Sequence, residues 1–177
     1  MNTLEVSTVV YVPPEEAFEF LVDFPRYARY SEYLETVEQH GTGEQGTQYD
    51  LTFSWWKLSY TARSEVTAVD RPERIDWRLV RHLDASGHWR VTAEPEETSD
   101  DQPASRVWFS VQFRPGSADE EAIELPSLVS LSWVIDKVKP KIREEAERVV
   151  RRVVADLEGE EREVTLDVHS VPGSDSD

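Results

Sequence analysis

The sequence predicts an α+β domain in the order strand, two short helices, a run of antiparallel strands and a long C-terminal helix. Three observations lead there. An opening run rich in β-branched residues gives way to Pro-Pro-Glu-Glu, residues 35 to 115 alternate apolar and polar with period two, and apolar residues from 128 to 157 recur at period 3.6.

Residues 4–11 (LEVSTVVY) favour a first strand through their β-branched side chains. Pro13-Pro14 with Glu15-Glu16 then opens a helix, because proline and acidic groups both suit a first turn. Phe18, Leu21 and Val22 share one face of it. Pro25 ends it, and RYARYSEYL reads as a short second helix or an irregular turn. Strands follow over 35–40, 47–55, 58–69, 74–82, 87–95 and 105–114, parted by segments such as GTGEQG, DRPER, LDASG and EETSDDQPAS. Short links between successive strands favour an antiparallel meander.

Strand 47–55 puts Tyr49, Leu51, Phe53 and Trp55 on one face, whereas strand 58–69 aligns Leu58, Tyr60, Ala62, Ser64, Val66 and Ala68. One set is odd-numbered and the other even, so a chain running straight through would turn them to opposite faces. A reversal or bulge at Trp55-Trp56-Lys57 lets both face one core. These residues are read as a hairpin tip, with Trp56 projecting away from the core face. There Trp56 either covers a neighbouring loop or stands at a cavity rim to meet ligand or membrane.

A continuous helix over 127–158 would be about 48 Å long. Pro140 lacks an N–H and crowds the preceding turn, which predicts a break or kink near 136–140. The strong part is 140–158, closed by Gly159. Its outer face mixes Arg143, Arg148, Arg151 and Arg152 with Glu144, Glu145 and Glu147, unlike the uniformly basic face of an interfacial anchor, so no stable membrane anchor is expected. Residues 1–159 make the domain and 160–177 an acidic C-terminal tail. Val164, Leu166 and Val168 alternate and leave room for an extra edge strand, while SVPGSDSD reads as a mobile end.

The chain has 177 residues, enough for one sizeable core. It has no cysteine, which removes disulfides, thiolate zinc sites and cysteine nucleophiles. Neither end carries an apolar segment long enough for a signal peptide or a membrane span, and a cytoplasmic protein is expected. The net charge of −17 repels phosphate backbones and anionic lipid surfaces alike, so nucleic acid is not an expected partner. Carboxylates occur throughout the sequence rather than in one block, which suits a solvated surface adapted to high salt, where screening relieves self-repulsion; a halophilic source is expected.

VPPEEAFEFLVDFPRY (12–27), with Asp23, Pro25 and Tyr27 in a D-x-P-x-Y arrangement, together with the LSYTARSEV strand, the Trp89 strand and the long final helix, resembles the START-like, polyketide cyclase and coenzyme-Q-binding superfamily. The resemblance covers residues 3 to 158 and rests on element order more than on any single motif. It implies the helix-grip fold, a curved antiparallel sheet of about seven strands around the C-terminal helix, with an apolar cavity between them. It also implies a hydrophobic ligand: members bind lipids, quinones, polyketides or hormones, some act as cyclases or dehydratases, and others serve as partner-binding modules. Fold alone does not choose among these.

Several motifs carry no chemistry. Gly41 to Gly46 is a literal G-x-G-x-x-G, but a strand follows it instead of a helix and Glu44 sits at the supposed phosphate seat, so it is a hairpin loop. His40, His82, His88 and His169 have no ligand-like spacing, His88 is out of phase with Trp89 and Val91, and no metal or cofactor is expected. No G-x-S-x-G elbow is present. Asp50 and Asp76 alternate with core residues and face water, which gives no buried acid–base pair. The polar groups in phase with the apolar face are Tyr49, Tyr60, Ser64 and, at a strand end, Arg81.

The expected lining comes from the sheet through Tyr49, Leu51 and Phe53, Tyr60 and Ala62, Trp77 and Leu79, Trp89 and Val91, Phe109 and Val111. The helix would close it with Ile142, Ala146, Val149 and Val153. The same aromatic residues could instead fill a solid core. As a pocket, the set suits a carrier of a lipid, quinone or polyketide-like molecule. As an enzyme it would use Tyr60 or Arg81 to hold an enolate or carbonyl oxygen. A third class is a protein-interaction module meeting a macromolecule through Trp56 and the acidic surface; no protein partner is specified by the sequence.

Overall fold

The computed structural model describes residues 2–81, 83–99, 102–114 and 131–170. The elements run β1 (Asn2–Val10), α1 (Pro14–Val22), a 3₁₀ helix (Phe24–Arg29), β2 (Leu34–His40), β3 (Gln48–Trp55), β4 (Leu58–Asp70), β5 (Arg74–Leu79), β6 (Asp84–Ala93), β7 (Ser105–Arg114), α2 (Leu131–Glu158) and β8 (Asp167–Ser170). One eight-stranded sheet takes the order β2-β3-β4-β5-β6-β7-β1-β8, antiparallel throughout. It curves around α2, and this is the helix-grip architecture.

Sequence chemistry accounts for the local elements. Pro14 takes the first turn of α1 beside Glu15 and Glu16, and Ala17, Phe18, Phe20 and Leu21 bury its inner face. Asp23 ends α1, its N–H donating to the Phe20 carbonyl at 3.2 Å, and Pro25 starts the 3₁₀ helix. Val10, Phe18, Phe24, Tyr49, Val66, Ile75, Val91 and Val154 form the core between sheet and helices.

The hairpin tip stands where the parity change requires it. Trp55 pairs with Leu58, Phe53 with Tyr60, Leu51 with Ala62 and Tyr49 with Ser64, without any bulge. A two-residue turn at Trp56-Lys57 therefore brings odd and even sets onto one face.

The extra edge strand that the tail left room for forms as β8, which pairs with β1 and makes the sheet eight-stranded; residues 171–177, most of the expected mobile end, lie outside the described residues. Three expectations change. β6 starts at Asp84, three residues early, because Ala85 pairs with Phe113 and Asp84 meets Arg114 at 3.4 Å. β5 ends at Leu79 rather than at 82. Lastly, α2 is continuous through Pro140. Pro140 is on the exposed side of the helix, where water can satisfy the carbonyl that loses its N–H partner. Gly159 closes α2 at φ +82°, its N–H donating to the Ala155 carbonyl at 2.9 Å.

Candidate functional site

The concave face of the sheet holds a cavity of about 440 Å³. Odd-numbered residues of β3, β5, β6 and β7 and even-numbered residues of β4 point into it. Cross-strand neighbours share a face, so Trp77, Gly87 and Val111 line up across β5, β6 and β7. Gly87 is required there: a Cβ would meet the Trp77 ring at 2.7 Å and the Ser110 carbonyl oxygen at 2.3 Å. The bare backbone lets the Trp77 indole lie across β6, where it stacks on Phe109 at 6.1 Å, and Phe109 in turn packs against Trp89 at 4.6 Å.

A second cavity of about 270 Å³ lies between β1, α1 and α2, against Val149, Val150, Val153 and Val154. Tyr27, Phe53 and Trp89 line both cavities and form the wall between them. Tyr27 is placed by the D-x-P-x-Y segment, and its hydroxyl donates to the Leu21 carbonyl, while burial holds its pKa well above the usual phenol range. Among the described residues lining the larger cavity, the polar side chains are Tyr27, Tyr60 and Ser64. No carboxylate, imidazole, ammonium or guanidinium group is among them.

Comparisons with known proteins agree with this geometry. A family model described as polyketide cyclase / dehydrase and lipid transport matches residues 1–158. The chain belongs to this family. Its fold is similar to that of the Zhui aromatase/cyclase from Streptomyces sp. R1128, with a TM-score of 0.60 and 17% identity over 88% of this chain and 93% of that one. A protein from Thermus thermophilus gives a TM-score of 0.58 at 14% identity over 89% and 97% of the two chains. The di-domain aromatase/cyclase of the steffimycin pathway gives 0.55 at 10%, over 89% of this chain and 51% of that one. At these identities the likeness is one of fold. Among curated proteins no match was found.

Within this polyketide cyclase / dehydrase family fold, Leu51, Phe53, Tyr60, Ala62, Trp77, Leu79, Trp89, Phe109 and Val111 all line the larger cavity. Val149 and Val153 line the smaller one. Tyr49 and Val91 belong instead to the solid core, Tyr49 against Phe24 at 4.5 Å between ring centres. Ala146 is exposed, because Glu145 takes the inward position and accepts the Glu32 backbone N–H at 3.0 Å. The side chain of Ile142 lies outside the described residues. Arg81 is exposed and is not among the described residues lining the cavity.

Phe24, Tyr27, Leu83, Ala85 and Phe113 complete the lining and were missed. Phe113 has the parity of Phe109 and Val111, a signal present in the sequence. Ala85 shares the parity of Trp89, and only the late start assigned to that strand hid it.

The remaining motifs lie outside the cavities. The glycine loop is the β2–β3 hairpin, with Gly41, Gly43 and Gly46 at φ +138°, +95° and +90° and the Thr47 hydroxyl accepting the Gly43 N–H at 2.9 Å. Glu38, His40 and Asp50 bring ligand atoms within 4.8 Å of one another. Asp50, however, is already held by two bonds from Arg63, at 2.8 and 2.9 Å, and by His40 at 3.0 Å. Its pKa falls to about 2, chiefly through the Arg63 bonds. Ser7 Oγ lies 2.7 Å from His169 Nε2, a pairing the sequence did not suggest. Ser7 is fully buried and accepts from Arg106 Nη1 at 3.0 Å, and Arg106 also holds Asp167 at 2.9 Å. That cluster ties β8 to β1 and β7 and opens on no described cavity.

Proposed function

We propose that the protein binds and carries a hydrophobic small molecule, a lipid, quinone or polyketide-like compound, in the larger cavity. The observation that supports this most is the lining itself. About 440 Å³ falls within the usual range for small-molecule sites, and its described walls are almost wholly apolar and aromatic. Each buried ligand CH₂ contributes about 0.8 kcal/mol, so a chain of some ten carbons supplies about 8 kcal/mol towards offsetting the cost of association. Tyr60 and Ser64 supply the few polar contacts that would orient such a ligand. Native mass spectrometry after gentle purification tests this directly. The expected spectrum carries an added mass of a few hundred daltons; a protein that is always free of ligand and ignores a panel of quinones and lipids contradicts it.

A cyclase or dehydratase reading is favoured by one point, that similar solved structures include proteins named aromatase/cyclase. Tyr60 is then the residue that holds an enolate or carbonyl oxygen. The described lining offers no general base of neutral-range pKa, which favours carriage over turnover. Tyr60→Phe separates the two: an enzyme loses turnover and keeps its affinity, whereas a carrier loses affinity alone.

A further inference from the structure

The chain has fifteen arginines but only four lysines, Lys57, Lys137, Lys139 and Lys141. All four belong to the β3–β4 turn and to one stretch of α2, and three stand over tryptophan rings. Lys57 Nζ lies 5.6 Å from the ring centre of Trp56, Lys137 Nζ 6.0 Å from Trp133, and Lys141 Nζ 5.8 Å from Trp55. The rings touch in series, Trp55 to Trp56 at 6.2 Å and Trp56 to Trp133 at 5.8 Å. Half of the six tryptophans are therefore gathered with Lys57, Lys137 and Lys141 around the β3–β4 turn. Trp56 is 56% exposed and Trp133 41%.

Trp56 also sits at φ +56°, at the first turn position, where glycine is the usual occupant of a two-residue hairpin with positive φ. A bulky side chain is disfavoured there, and strain of this kind concentrates where a side chain must be presented. Among the described residues its ring neighbours are Trp55 and Trp133, at the same end of the molecule.

We infer that this tryptophan–lysine end docks the protein on an anionic lipid surface. Indole rings settle at headgroup level, with an apolar body and a polar N–H, and ammonium groups on long stems reach lipid phosphates. Charge complementarity also fixes the orientation. Although the net charge of −17 repels an anionic surface as a whole, the lysine-bearing end carries local positive charge beside exposed indoles and is the end that would face the headgroups. The contact is weak and reversible, since a few lysines and two exposed indoles fall short of an anchor. Phe53 and Tyr60, on the rim of the larger cavity, pair two residues behind the turn, about 7 Å along the strand. Docking would bring that rim up to the lipid. The docking itself is independent of the ligand reading, since a protein with an empty cavity would still dock.

Co-sedimentation of the full chain with vesicles of phosphatidylcholine, with and without phosphatidylglycerol, tests it. The protein is expected to pellet with the phosphatidylglycerol vesicles and not with the neutral ones. Lys57→Glu and Trp56→Gly are each expected to lower that partition by about tenfold. Both sites are exposed turn positions, and Trp56→Gly removes the positive-φ strain, so unchanged circular dichroism and melting will show that both variants fold. Failure to pellet with anionic vesicles, equal binding to neutral vesicles, or partition unchanged in either variant overturns the inference. Concentration-dependent dimers abolished by Trp56→Gly would overturn it as well, because the surface would then be an interface between copies.

Discussion

Asp50 is the side chain whose charge most clearly depends on its neighbours. On the outward face of β3 it sits opposite Arg63 of β4, and two bonds from that guanidinium with one from His40 bring its pKa from 3.8 to about 2. A depressed folded-state pKa stabilises the fold fully above the unfolded value and loses that contribution as pH falls through the folded one. The pair therefore contributes above pH about 4 and is lost towards pH about 2. The Arg63 side chain is partly solvated, so screening keeps the contribution small. Urea unfolding of Asp50→Asn against the parent should show that gap at about pH 6 and its disappearance near pH 2. A gap that stays constant across the range contradicts it.

Among the elements, α2 is the one whose seating decides the shape of the interior. Its C-terminal end is clasped to β1 by Glu158, which accepts the Tyr11 backbone N–H at 3.0 Å and pairs with Arg162 at 2.7 and 2.9 Å. Arg162 also donates to the Val9 carbonyl at 2.8 Å and lies over the Tyr11 ring. The Glu158 side chain is almost fully buried, so removing Arg162 leaves a buried carboxylate, held by the Tyr11 N–H, without its counter-charge. Arg162→Ala should cost about 3 kcal/mol and lower the melting temperature by about 6–12 °C in calorimetry. A shift under about 2 °C would show that the clasp contributes little. This clasp was not legible in the sequence, because Glu158 reads there as one more charge at the end of the helix and Arg162 as one in an acidic tail. Nor was the continuity of α2, since Pro140 weakens a helix only as far as its freed carbonyl lacks water.

At the scale of the whole molecule, the alternation of apolar residues carried most of the information. The odd set of β3 and the even set of β4 demanded a reversal at Trp56-Lys57, and that single turn puts Leu51, Phe53, Tyr60 and Ala62 around one cavity. Strand pairings beyond neighbours were opaque: β1 sits between β7 and β8, and no local pattern announces that placement. Periodicity alone also misassigned Tyr49, Val91 and Ala146, because it reports which face a side chain takes and not how close the opposite layer comes. At Tyr49 the layer is Phe24, packed directly against it, whereas around Ala62 the layers part. That parting is what a ligand would occupy. Filling it is therefore the most direct measurement. Ala62→Phe places a ring in the larger cavity and should weaken binding of a hydrophobic ligand by about tenfold or more while the fold melts no lower than the parent. Undiminished affinity in a folded Ala62→Phe protein would contradict a ligand seated in the larger cavity.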